Sequence, residues 1–210
     1  MFYTVLNSVG AEIIEKKSRF ICGVFHVESV EEAESVLSEV RRNYHDARHN
    51  CFAYRIADGD ISRASDDGEP SGTAGMPMLN ILIGRNVSNV LVVVTRYFGG
   101  ILLGTGGLVR AYSLATTEAL DRAEFVQQDI GLGVSFVVDY KDLNEVKYQL
   151  KNRWICISNL KYGERVTVVA EGREDDILML KNGKLLDRIV LDNVEVLGRK
   201  YVNIDKNGKK

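Results

Sequence analysis

Proline is nearly missing. There are two in 210 residues, Pro70 and Pro77, and both fall in one polar stretch. Cysteine is as sparse: Cys22, Cys51 and Cys156 form an odd, scattered set without C-x-x-C spacing, which reads as reduced, mostly buried thiols. No apolar run approaches the roughly 20 residues needed to cross a bilayer. The first residues also lack the basic, apolar, small-residue order of a signal peptide. A cytoplasmic protein without a membrane partner is therefore expected. Net charge is only -2, so the chain as a whole has no strong pull toward nucleic acid. Neither G-x-G-x-x-G nor G-x-x-x-x-G-K-[ST] occurs, which excludes a dinucleotide fingerprint and a P-loop. G-x-S-x-G and H-E-x-x-H are absent too, so the usual hydrolase signatures are missing. No cofactor and no resident metal are expected. His45, His49 and Cys51 have zinc-binding side chains, but residues 50–56 read as a strand and no fourth ligand stands nearby.

What is present is organised around residues 89–112. Val90 to Val94 is a short β-branched run, fit for a buried strand. Arg96, Tyr97 and Phe98 follow, then Gly99-Gly100, then Gly104-Thr105-Gly106-Gly107. From Leu108 to Leu120 the period is helical. Strand, glycine-rich turn and helix N-terminus make an anion site in principle. Unpaired N–H groups and the positive dipole end would face the ligand, and Arg96 and Arg110 would add charge. The alternative is that the glycines only permit positive φ and close packing of helix on sheet.

Elsewhere the elements are ordinary. One or two strands are expected over residues 2–14, and Lys16-Lys17-Ser18-Arg19 is a basic turn before a strand at 20–27. Ser29-x-x-Glu32 is a capping box opening a helix that Arg41 and Arg42 close. A strand follows at 50–56. Residues 63–77 read as a polar, glycine-rich loop, and a helix over 78–83 ends at Gly84. Residues 125–130 read as a connector. Beyond it the elements run strand (133–139), helix with Asp142 as its cap, strand (156–160), strand (165–171), helix (175–183) and strand (194–202). That β-α-β-β-α-β order is the ferredoxin-like plan. The domains expected are 1–128 and 129–205, with 206–210 a frayed tail. Residues 1–130 hold 12 Lys+Arg against 17 Asp+Glu, and residues 131–210 hold 15 against 12, so the second part is the more basic.

The polar loop carries the other candidate chemistry. Asp66, Glu69, Ser71 and Thr73 would line a cleft with His49 if the fold brings that imidazole within hydrogen-bond reach. The plainer reading is a solvated acidic loop.

Three blocks carry a family resemblance: Ala47-Arg-His-Asn-Cys-Phe-Ala-Tyr54, Asp67-Gly-Glu-Pro-Ser-Gly-Thr-Ala-Gly75, and Val94 to Tyr112 with its Arg-Tyr-Phe-Gly-Gly core. In this order they closely resemble the IMPACT family in its bacterial YigZ-like branch. The resemblance implies an α+β protein. Its first domain would be an α/β sandwich like domain 2 of ribosomal protein S-five, and its second would be ferredoxin-like. It also implies a role in translation regulation, as in eukaryotic relatives that act under starvation stress. It brings no enzyme activity with it, so no catalytic residue is assigned. Three functions are carried forward. The first is a translation-associated protein binding RNA or a ribosomal surface through Arg96, Tyr97, Gly99, Gly100, Gly104, Thr105, Gly106, Gly107 and Arg110. The second is an enzyme acting on a small phosphorylated or peptide substrate at the His49/Asp66–Thr73 cleft. The third is a protein-binding module.

Overall fold

Val90, Val92 and Val94 turn to one face of a sheet, Leu91 and Val93 to the other, and all five are buried. An unbroken apolar run is what a strand covered on both faces requires. In the computed structural model, which describes residues 1–204, this strand is central to a mixed α/β unit spanning residues 2–125. Its elements are β1 (Phe2–Val5), β2 (Val9–Glu15), β3 (Ser18–His26), α1 (Val30–Asn43), β4 (His49–Ile56), β5 (Ile61–Ser65), α2 (Gly75–Gly84), β6 (Val90–Tyr97) and α3 (Gly104–Asp121). The sheet order is β2-β3-β6-β4-β5, antiparallel throughout. Cys51 and Ala53 of β4 join Val90, Val92 and Val94 against α2 and α3. Phe52, Tyr54 and Ile56 join Leu91 and Val93 against Ala33, Leu37 and Val40 of α1. Ser29 caps α1, accepting from Glu32 N, while the Glu32 carboxylate accepts from Glu28 N.

The second unit comprises Met1 and residues from 126 onward. It contains β7 (Phe125–Val138, crossing the boundary), α4 (Leu143–Asn152), β8 (Cys156–Tyr162), β9 (Val166–Arg173), α5 (Glu174–Lys181) and β10 (Asp192–Asn203). These strands lie in the order β10-β7-β9-β8, all antiparallel. Leu143, Val146 and Leu150 of α4 and Ile177 and Leu180 of α5 cover Val134, Phe136, Val138, Val166, Val168 and Ala170.

Five expectations are corrected. Residues 125–130 are the start of β7, not a connector. Residues 63–65 leave the polar loop and join Ile61 and Ser62 in an edge strand, and α2 begins at Gly75 rather than Met78. Helix α3 begins at Gly104, so Gly104 to Gly107 are its first turn and not a loop before it. Asp142 precedes α4, but its side chain makes no capping bond. The expected tail, 206–210, lies outside the described residues. Among the described residues no helix is long and apolar enough to cross a membrane.

Candidate functional site

The first of the two glycines after β6 is needed because a second segment runs across it. Strands β2 and β3 are joined by Lys16 and Lys17, both at positive φ (46° and 65°) between the paired residues Glu15 and Ser18. Hairpin turns of this twist normally use Asn-Gly, so two lysines there are a local conformational cost. Tertiary contact holds the turn. Gly99 N–H donates to Ser18 Oγ over 3.1 Å, and a Cβ at position 99 would collide with the Lys17 carbonyl and Ser18 N. The Lys16 and Lys17 side chains are left exposed beside the loop carrying Phe98, Ile101 and Leu102, which are 55%, 43% and 82% exposed.

Behind Phe98 lies a buried charge. The Arg96 guanidinium sits over the Phe98 ring (5.7 Å to the centroid) and over Phe20 (5.4 Å). Arg96 donates to Glu69 Oε1 over 2.7 Å, with both side chains buried. Tyr112 of α3 donates to the same carboxylate over 2.8 Å. Cys51 Sγ lies 3.3 Å from the Tyr112 hydroxyl and donates to the Asp66 carbonyl. Burial pushes the Cys51 thiol up to about 12, with the Glu69 and Asp67 carboxylates acting in the same direction, so it remains a thiol at neutral pH. Burial, with Cys51 and Glu69 beside it, likewise drives the Tyr112 phenol far up, and it stays a donor. Arg96 is therefore a fixed structural cation and not a free phosphate ligand. Of the two arginines expected to add charge to the anion site, Arg96 is paired with Glu69, because an unpaired charge at that depth would be far costlier.

Beside this pair opens a cleft of about 460 Å³ lined by Asp46, Arg48, His49, Arg96, Tyr97, Phe98 and Leu102. Tyr97 OH donates to Asp46 Oδ1 over 2.6 Å, and Arg19 lies over the Tyr97 ring. Arg48 is exposed and has no ion-pair partner among the described residues, as is true of Arg110, Lys16 and Lys17. Gly104, Thr105 and Gly106 are exposed at the α3 N-terminus, with Arg110 one turn on beside Gly106. Gly104 has φ +69°, which lets the chain enter the helix abruptly from Leu103. Gly100, at φ +84°, turns the loop the same way.

The second candidate set is only half assembled. His49 Nδ1 is 2.9 Å from the Asp67 carbonyl oxygen, so the imidazole does reach the loop. The groups it was to work with are occupied. Asp66 accepts N–H bonds from Gly72, Ala74 and Gly75, capping α2. Burial would raise its pKa, but the three amides outweigh that and hold it below the usual carboxylate range. Glu69 is paired with Arg96, and Thr73 Oγ1 donates to the Pro70 carbonyl. Ser71 is exposed, with no described partner. No hydroxyl is activated by His49, and among the described residues no group of three or more His, Cys, Asp or Glu side chains can hold a metal ion. A further cavity of about 480 Å³ near Gly10 and Gly23 carries only Glu12 and Arg122 as charged lining.

Sequence reasoning passed over Arg48, Phe98, Leu102 and the Lys16-Lys17 turn as site residues. The signal was available: Arg48 and Phe98 stand inside two of the motif blocks, and the lysines form the one basic turn.

Residues 16–120 match the family model described as the Impact N-terminal domain. The chain is 39% identical to IMPACT family member YvyE of Bacillus subtilis over 79% of this chain and 76% of that protein. It is 51% identical to IMPACT family member YigZ of Escherichia coli over 50% of this chain and 53% of that protein. A crystal structure described as a hypothetical protein superposes with a TM-score of 0.62 at 30% identity, covering 98% of each chain. A structure described as the two-domain translational regulator Yih1 is 28% identical over 57% of this chain and 46% of that one. Its TM-score of 0.33 is too low for a comparison of folds.

Proposed function

The chain belongs to the IMPACT family, and from that premise we propose that it is a cytoplasmic, translation-associated regulatory protein that binds RNA, free or on a ribosomal surface, through the tip of its first unit. One observation carries the reading. Four exposed cations without ion-pair partners among the described residues border the segment 98–106: Arg48 shares a cleft with the exposed Phe98, the Lys16-Lys17 turn lies against Gly99, and Arg110 lies beside Gly106 in the open first turn of a helix. Cations that have no acidic partner are available to phosphate, and backbone N–H groups at a helix start accept the same ligand. The second unit belongs to the proposal as a ferredoxin-like domain, an assignment supported by its strand order, and the first as a relative of domain 2 of ribosomal protein S-five.

The enzyme reading is supported by the His49 contact alone, since Asp66, Glu69 and Thr73 already serve the loop's own structure. The exposed Phe98, Ile101 and Leu102 also suit a protein partner. Equilibrium binding of fluorescein-labelled RNA to the full chain, repeated over a range of salt, separates these readings. Lys16→Ala combined with Lys17→Ala and Arg48→Ala should weaken binding about tenfold or more and flatten the dependence of log K on log salt by about 0.7 per phosphate contact removed. Unchanged affinity and slope would remove the tip from the interface. Binding of ribosomes that survives nuclease and these substitutions would favour a protein contact.

A further inference from the structure

Phe98 is the least expected feature of the tip. A phenylalanine 55% exposed, at the end of a buried strand, is held by its neighbours instead of being tucked under them. The Arg96 guanidinium lies over the ring, and Arg96 is itself immobilised by Glu69, by Phe20 and by burial to 7% exposure. Gly99 immediately follows and is pinned to Ser18. The ring is therefore a fixed aromatic plate with a large exposed area, set at the mouth of a cleft shared by Arg48, Tyr97 and Leu102.

Resting on the RNA reading above, we infer that the tip takes a single-stranded segment, with one unpaired base stacked on Phe98 and its flanking phosphates held by Arg48 and the Lys16-Lys17 turn. The geometry discriminates between strand types. An A-form duplex keeps its bases paired inside and offers only phosphates, 2′-hydroxyls and a shallow minor groove, so an exposed ring has nothing to stack on. A single strand offers the face of every base, and aromatic stacking is tolerant of sequence. The cleft, about 460 Å³, falls within the range of pockets that enclose one small ligand and is far too small for a double helix. A base would stack on the part of the ring that Arg96 leaves exposed, with Arg48 in the same cleft and the Lys16-Lys17 turn against Gly99 at hand for its phosphates.

The test uses the full chain with a fluorescein-labelled ten-nucleotide uridine strand and a blunt RNA duplex of equal length at one salt concentration. Tighter binding of the single strand by about tenfold or more is expected. Phe98→Leu should weaken that binding about 5- to 150-fold with an unchanged salt slope, while leaving duplex binding within twofold, and Phe98→Trp should restore it. The leucine variant keeps apolar bulk over Arg96, so a failure to fold, visible in urea unfolding, is distinguished from loss of the stacking plate. Equal binding of duplex and single strand, or Phe98→Leu binding like wild type, overturns the single-strand inference and leaves the RNA reading standing. Binding of neither RNA overturns both.

Discussion

The two units differ in where their unpaired cations stand. Residues 1–130 are the acidic part of the chain, yet Lys16, Lys17, Arg48 and Arg110 stand exposed there without ion-pair partners among the described residues. Residues 131–210 are the basic part. However, Arg165 is bonded to both Asp139 and Asp192, and Lys200 to Glu171. Lys161 and Arg199 are exposed without an ion-pair partner among the described residues, while Arg165 and Lys200 are neutralised within their own sheet. Its central strands β7 and β9 also lack aromatic side chains, apart from Phe125 at the β7 start and the buried Phe136. Unpaired cations stand in both units, so it is their setting that separates them: Arg48 of the first shares a cleft with the exposed Phe98.

The contrast can be tested first on stability, where the largest effect is expected. The Arg96–Glu69 pair is buried, whereas Arg165 and its carboxylates are about one-third to one-half exposed. Glu69→Ala should cost about 3–5 kcal/mol, because it strands a buried guanidinium. Arg165→Ala should cost about 1 kcal/mol or less. Urea unfolding of both variants checks this, and equal losses would erase the distinction between the units. Next in size is Gly99→Ala. Its Cβ meets the Lys17 and Ser18 backbone, so it should lose about 1–3 kcal/mol and misplace the lysine turn, weakening RNA binding together with stability.

Asp66 supplies the third prediction. Its folded-state pKa is depressed, so its stabilising share is complete above the unfolded value of about 3.9 and is lost as pH falls through the lower folded value. Asp66→Asn should cost about 1–2 kcal/mol at pH 7, as loss of a charged helix cap does. The gap between mutant and wild type should close below about pH 4. Unfolding curves from pH 7 to pH 2 measure it, and a pH-independent gap would deny the carboxylate its capping role. The smallest effect belongs to the second unit. Arg165→Ala with Lys200→Ala should leave RNA affinity within about twofold, because those cations are already occupied. A large loss would move the interface there.

Much of the fold was legible because its signals are local. The Ser29 capping box, the continuous valines of β6 and the period of α4 each state their structure within a few residues. What the sequence concealed was pairwise and distant. Residues 61–65 are a short run with no clear alternation, and become a strand because β4 offers them an edge. The first turn of α3 is glycine-rich, which propensity reads as loop, yet Leu108 and Ala111 bury that face and carry the helix back to Gly104. Arg96 was legible as a charge at the end of a strand, but nothing local reveals Glu69 as its partner 27 positions earlier. The Lys16-Lys17 turn was visible as a basic tetrapeptide. Its place beside Gly99 depends on a contact between segments more than 80 residues apart.

The Cys51–Tyr112–Glu69–Arg96 cluster draws on four separate stretches of chain: β4, the loop before α2, β6 and α3. Until all four have docked, some polar member of the set is buried without its counterpart or left in water. Partial assemblies of the first unit thus gain little from it, while the finished one gains the whole set together. Such a lock rewards completion alone, and amides along β6 should exchange with solvent only when the entire unit opens.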